Sequence, residues 1–242
     1  MLPGAKIVDY VYEARFMDGE PLDTEIDHHT AKFIVGFIAL SLATLTDLLT
    51  PGVSISSISL SYHLTDHARN VFVGSLCVIS AFLWSYNGYS LFQAVLSKVA
   101  AVAVAMVAFF PCDCLAGRGD EGAAAGSTMV GVVHTTAAIS MFIILAIFCW
   151  LFYLRAKGKD SKEAKVRGLI YRACAVVMLG AMAVQLLDIL GWVDFSGVTH
   201  RLTYYVEATG LIAFGVAWLT ASRMLPFITS EDERIKIALS SR

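Results

Sequence analysis

Six long apolar segments, separated by polar stretches, dominate the pattern of this chain. They cover about residues 32–50, 70–87, 91–110, 129–154, 168–190 and 202–223. Each approaches the roughly 20 apolar residues that a helix needs to cross about 30 Å of hydrocarbon. The pattern therefore predicts an all-α fold, a polytopic transmembrane bundle of six helices, with both termini on the same side of the membrane.

Composition supports a membrane protein and excludes other classes. Hydrophobic residues make up 57% of the chain, charged residues make up 16%, and the mean hydropathy is +0.68. Soluble domains carry about 25% charged residues. The formal net charge of −2 gives no sign of a strongly charged disordered chain or of a basic surface for nucleic acid. We therefore expect membrane lipids, and not nucleic acid, as partners.

The distribution of Lys and Arg predicts the orientation. With the N-terminus inside, only Arg69, Arg118 and Arg201 of the 18 Lys and Arg residues fall on the outer side. The positive-inside rule then places both termini in the cytoplasm. The first 30 residues are acidic and lack the apolar core of a signal peptide, so the first apolar segment is expected to act as the insertion signal. The predicted parts are an N-terminal tail (1–30), a six-helix transmembrane domain (31–224) and a C-terminal tail (225–242).

Chemically versatile side chains gather on the predicted outer face. His200, Tyr204 and Glu207 are spaced by four and three residues, so they share one face of the last helix, with Glu207 about two turns deeper than His200. A carboxylate inside a bilayer is costly and marks a candidate functional site. The alternative is that Glu207 only fixes helix packing. His134, among small residues that permit close helix approach, presents the same choice.

Histidines and cysteines on this face suggest metal chemistry as a further alternative. His63 and His67 are spaced by four residues, and His63, His134 and His200 together would supply the three nitrogen ligands of a catalytic zinc. The motif Cys112-Asp-Cys114 offers a metal ligand pair, a bridge or, as the favoured interpretation, two free or partly paired loop thiols. Haem is disfavoured because the histidines lie at the rim, and retinal because the last helix has no lysine near its middle.

Several stretches of the chain resemble a known family. They are SLSYHLTDHARNVFVGSLC (59–77), FFPCD (109–113), His134, IYRAC (170–174) and EATGLIAFGVAWLTASR (207–223). As a set they look like a family of six-helix bacterial inner-membrane proteins with no assigned reaction. The matches to its pattern are Arg69, Phe110-Pro111, His134 and Glu207; the departures are His63, His67, Cys112 and Cys114. The resemblance implies a bacterial inner-membrane location and the six-helix topology, but no activity.

A weaker similarity is to the membrane zinc hydrolases that include alkaline ceramidases. Ser59 and His63 reproduce their Ser-x-x-x-His spacing. Those proteins have a further His-x-x-x-His pair in the last helix, where this chain has His200 followed by Tyr204.

The leading functional hypothesis is a polar pocket that opens to the outer face and binds a lipid headgroup or another small polar ligand. The expected lining residues are Arg69, His134, His200, Tyr204 and Glu207. In this hypothesis Arg69 holds an anionic group and Glu207 orients or protonates the ligand.

Two further hypotheses belong to other classes. In the first, His63, His134 and His200 bind zinc, and Glu207 or Asp66 is the base that activates a metal-bound water against a lipid amide or ester. In the second, the protein is a structural subunit of a larger membrane complex, and its polar residues only lock helix packing against one another or against membrane-protein partners.

Overall fold

The structure is a computed structural model that describes residues 28–114, 128–225 and 227–229. Its helices are α1 (His28–Leu48), α2 (Ser61–Leu64), α3 (Asp66–Ser85), α4 (Leu91–Phe109), α5 (Met129–Lys157), α6 (Lys162–Ile189) and α7 (Leu202–Ser222), with a 3₁₀ turn at Ile58–Leu60. Six of them, all except α2, are long and apolar enough to cross a membrane. The predicted all-α bundle with six candidate membrane spans is confirmed. The predicted tails, 1–30 and 225–242, lie almost entirely outside the described residues.

Polar caps, rather than hydropathy, set where the helices begin. Thr65 Oγ1 accepts a hydrogen bond from Ala68 N at 3.1 Å at the start of α3. Ser161 Oγ does the same for Ala164 N at 3.2 Å, so α6 begins at Lys162 rather than near residue 168. A side-chain oxygen at this position satisfies an otherwise unpaired N–H of the first turn. The charged first turns of both helices therefore extend beyond the apolar segments.

The six long helices pack side by side in chain order and form a closed ring. Each one contacts the next long helix along the chain, and α7 packs against α1. Two glycines bring α1 and α7 close together, because a Cβ added at Gly36 would lie 2.8 Å from Leu219 N and one at Gly215 would lie 2.8 Å from Gly36 O. Small residues allow such backbone approach between membrane helices.

Buried aromatic side chains pack together between the helices. Trp218 lies 5.2 Å from Phe214, 5.6 Å from Tyr86 and 6.5 Å from Phe148, measured between ring centroids. Many large apolar side chains on the outside of the helices are exposed, as on Leu169 of α6. An apolar outer surface of this kind suits contact with lipid chains.

The two ends of the bundle differ in chemistry. At the Glu207 end, α4 and α6 end while α5 and α7 begin, and the segment before α2 covers the helix termini. At the Lys32 end, α1 and α6 begin while α5 and α7 end. Each end contains a cavity, and the larger one lies at the Glu207 end.

Candidate functional site

Glu207, in the second turn of α7, holds the segment before α2 in place. Ser57 Oγ lies 2.9 and 3.0 Å from the two carboxylate oxygens, and Ile58 N donates to Oε2 at 2.6 Å. Among the described residues, no Lys, Arg or His nitrogen lies within salt-bridge distance of this carboxylate. The carboxylate is therefore held by uncharged donors, and its oxygens can accept further hydrogen bonds.

His134, in the second turn of α5, joins the same segment to the end of α4. Its Nδ1 lies 2.7 Å from Phe110 O and its Nε2 lies 3.1 Å from Ser59 Oγ. A carbonyl oxygen only accepts, so Nδ1 carries a proton, and in the neutral ring Nε2 accepts the Ser59 hydroxyl proton. Because Ser59 N also donates to Ser57 Oγ at 3.1 Å, a continuous polar network runs from Phe110 O through His134, Ser59 and Ser57 to Glu207.

A cavity of about 850 Å³ lies beside this polar network, between α5, α6 and α7. Its wall is mainly apolar, with contributions from Phe142, Leu179 and Met182. The polar side chains on its wall include Ser57, His134, Gln185, His200 and Glu207. Gln185 Oε1 is buried and has no hydrogen-bond partner among the described residues. An unpaired buried carbonyl oxygen is uncommon and calls for a hydrogen-bond donor from elsewhere.

The cavity opens to the outside of the bundle. Ile139 of α5 and Leu186 and Ile189 of α6 line it and are also exposed, by 48%, 55% and 65%. These residues belong to the apolar surface of two candidate membrane spans. An apolar molecule can therefore reach the cavity from the side of the bundle.

The loop between α6 and α7 forms part of the rim. Asp188 Oδ1 accepts from Phe195 N at 3.4 Å, and Asp194 Oδ1 accepts from Ser196 N at 2.8 Å. Hydrogen bonds from Ser196 lower the pKa of the exposed Asp194 carboxyl. Phe195 and Ser196 line the cavity, so these two carboxylates shape the loop that borders it.

Three of the five expected pocket residues lie together on the cavity wall. These are His134, His200 and Glu207. Arg69 is exposed and pairs with Asp66 Oδ1 at 2.6 Å, and it is not among the residues that line the cavity. Tyr204 points toward α1, where its hydroxyl donates to Ala43 O at 3.2 Å. The geometry therefore does not support the prediction that Arg69 holds an anionic group in this cavity.

Two of the three expected zinc ligands, His63 and His134, already have hydrogen-bond partners within the protein. His63 Nε2 lies 3.0 Å from Cys112 O, and both ring nitrogens of His134 have the partners given above. Within residues 28–114, 128–225 and 227–229, no group of three or more His, Cys, Asp or Glu side chains is arranged to hold a metal ion. Zinc binding stays a prediction from the sequence.

Cys112 and Cys114 form a disulfide, whereas the sequence favoured two loop thiols. Asp113 between them accepts hydrogen bonds from Thr128 N at 2.8 Å and Thr128 Oγ1 at 2.7 Å. A Cβ at Gly131 would lie 1.9 Å from Asp113 Oδ2, so a larger residue there would displace the Asp113 carboxylate. The end of α4 is thereby tied to the start of α5.

Sequence reasoning missed several residues at this end. Ser57, Ser59 and Gln185 were not predicted as site residues, and Arg201 entered only as a topology marker. Arg201 pairs with Asp47 Oδ1 at 2.5 Å and donates from Nε to Ile55 O at 2.8 Å. The sequence does contain a signal for this ion pair. It has an acidic residue, Asp47, near the end of the first apolar segment and a basic residue, Arg201, at the start of the last one.

Comparison with family models, with curated proteins and with solved structures gives no match.

Proposed function

We propose that this protein binds an amphipathic, lipid-like molecule in the cavity between α5, α6 and α7, at the outer face of a bacterial inner membrane. The observation that carries the proposal is the pairing of an apolar cavity, open at the side of the bundle, with buried acceptor oxygens at one end. Cavities that bind small molecules are mostly apolar, with a few polar groups that fix orientation.

The polar residues on the wall define the chemistry of the ligand. Glu207 and Gln185 both carry acceptor oxygens, and Gln185 Oε1 is buried without a partner among the described residues. Acceptors bind donors, so the polar group of the ligand carries a hydroxyl, an amide N–H or an ammonium. Its apolar chain lies against Phe142, Leu179 and Met182 and leaves the bundle beside Leu186.

Two observations support the outer face as the location. The Lys and Arg distribution predicts that the Glu207 end is extracytoplasmic. The Cys112–Cys114 disulfide lies at this same end, and disulfides persist mainly in oxidising compartments outside the cytosol.

The test is native mass spectrometry of the protein released gently from membranes. Ala183→Trp introduces a bulky side chain at a residue of the cavity wall, and Ala173→Trp makes the same change at an exposed position of α6 outside the wall. Wild type and Ala173→Trp should carry about one lipid-sized adduct per chain, and Ala183→Trp should lose at least tenfold in occupancy. Equal occupancy in all three proteins would contradict the proposal.

The zinc-hydrolase and complex-subunit hypotheses stay predictions. Elemental analysis of wild type and His134→Ala addresses the first: about one zinc per chain, lost in the variant, would favour a hydrolase. A stable partner in mild detergent would favour the second.

A further inference from the structure

A second polar site lies at the Lys32 end, opposite the lipid cavity. Six basic side chains line one cleft with a cavity of about 40 Å³. They are His29, Lys32, Arg155, Lys159, Arg167 and Arg223. We call this set of six residues the basic cleft. They come from α1, from the end of α5 and the residues after it, from α6 and from the residue that follows α7.

Two of these cations are buried. Lys32 is 5% exposed and Arg167 is 3% exposed. Arg167 Nη1 donates to Ile228 O at 2.7 Å, and Lys32 Nζ lies 5.4 Å from the centre of the Tyr86 ring. Buried charges are costly unless they are neutralised.

No Asp or Glu is among the residues that line the described cleft. Five of the six basic residues have additional interactions within the protein, so what distinguishes the cleft is the concentration of Lys and Arg side chains and not an unused side chain. Like charges that converge in one place repel one another, and a multivalent anion relieves this repulsion.

The mouth of the cleft lies where lipid headgroups would be. The guanidinium of Arg155 stacks 3.0 Å above the centre of the Tyr89 ring, and both residues are exposed. They lie where candidate spans end, which is the level of the membrane interface. Basic pockets between helix ends on the cytoplasmic side are suited to anionic headgroups.

We propose that the basic cleft binds the phosphate group of an anionic membrane lipid. The cavity has room for a small group and is too small for an acyl chain, so the phosphate enters and the chains stay in the bilayer. Arg presents paired N–H donors to phosphate oxygens, and Lys adds a point charge.

The test is titration of the purified full-length protein, with the thermal unfolding midpoint as the readout. The probes are dioctanoyl phosphatidic acid, inorganic phosphate and, as a zwitterionic control, dioctanoyl phosphatidylcholine. Phosphatidic acid should raise the midpoint of wild type, and its affinity should fall at least tenfold in Arg155→Gln. Arg155 is exposed, so this variant is expected to fold. Lys157→Gln and Lys165→Gln remove exposed charges outside the cleft and should bind as wild type does.

Each other outcome would overturn the proposal. An equal response to inorganic phosphate would assign the cleft to free phosphate. Equal affinity losses in Arg155→Gln and Lys157→Gln would indicate surface charge without a site. The segment 230–242 contains Glu231, Asp232 and Glu233 and lies outside the described residues. A response seen only when these three are changed to Gln, Asn and Gln would show that the chain's own carboxylates occupy the cleft.

Discussion

At the scale of single residues, Glu207 has a structural task in addition to its proposed contact with a ligand. Its carboxylate receives hydrogen bonds from Ser57 Oγ and Ile58 N, and it thereby holds the segment that covers the bundle. Gln185 lines the same cavity, but its Oε1 has no partner in the described part of the chain. The two residues should therefore respond to substitution in opposite ways.

Replacing Glu207 by Ala should destabilise the protein. The change leaves two donors of Ser57 and Ile58 unpaired, and we expect a loss of about 2–4 kcal/mol in the free energy of unfolding. Glu207→Gln keeps one acceptor oxygen and should lose less. The unfolding free energies of both variants can be measured in mixed micelles. Asp66→Ala is the control, because its exposed pair with Arg69 is worth less than about 1 kcal/mol; a loss for Glu207→Ala no larger than the control's would contradict the assigned role.

Replacing Gln185 by Leu should separate stability from binding. It removes a buried oxygen without a partner, so the unfolding free energy of ligand-free protein should stay the same or rise by about 1 kcal/mol. Occupancy by the copurifying lipid should nevertheless fall, as native mass spectrometry would detect. Full occupancy in this variant would argue against a ligand contact at Gln185.

At the scale of helices, the sequence predicted what crosses the membrane better than where each helix begins. Apolar runs located all six long helices, but α6 begins at Lys162, several residues before its apolar run, because Ser161 caps it. Hydropathy identifies the part of a helix that can lie in hydrocarbon. The capping residue marks where the helical hydrogen bonds begin, and the two positions need not coincide.

The candidate site was predicted only in part, because the sequence does not show which helices are neighbours. His134 and Glu207 stood out because polar residues inside apolar spans are costly. Ser57, Ser59 and Gln185 did not, since their importance depends on α5, α6 and α7 being neighbours. Arg69 and Tyr204 share the predicted outer face with the cavity residues, yet they lie on other sides of the bundle.

The close contact between α1 and α7 makes a prediction at this scale. A Cβ at Gly215 would lie 2.8 Å from Gly36 O and 3.0 Å from Leu40 N, both backbone atoms. Gly215→Ala should therefore push the helices apart and cost about 1–3 kcal/mol of unfolding free energy. Gly180→Ala in α6 meets nothing within 4 Å and should be neutral or stabilising by up to about 1 kcal/mol. Similar effects of the two substitutions would contradict the close contact.

At the scale of the whole molecule, the two ends of the bundle have opposite chemistry. The Glu207 end combines acceptor oxygens, an apolar cavity and a disulfide, and the Lys32 end collects cations. The positive-inside rule predicts that the Lys32 end faces the cytoplasm. The proposed ligands follow this polarity, with a donor-bearing lipid at one face and an anionic headgroup at the other.

The orientation can be tested through the disulfide. In intact cells, a membrane-impermeant maleimide should label Cys112 and Cys114 only after treatment with an impermeant reductant, because the pair lies at the outer face in this orientation. A variant with both residues changed to Ser and the half-buried Cys77 changed to Ala should stay unlabelled, since the remaining cysteines, Cys149 and Cys174, are buried. Labelling that requires cell lysis would reverse the orientation.

Lipid binding in the cavity would be seen most directly in a crystal structure of the wild-type protein grown from native lipid. A bound lipid should give elongated density in the cavity beside Phe142 and Leu179, with a donor atom of the bound molecule within about 3.2 Å of Gln185 Oε1. A cavity that holds only ordered water, in protein that retains its native lipids elsewhere, would contradict the proposed function.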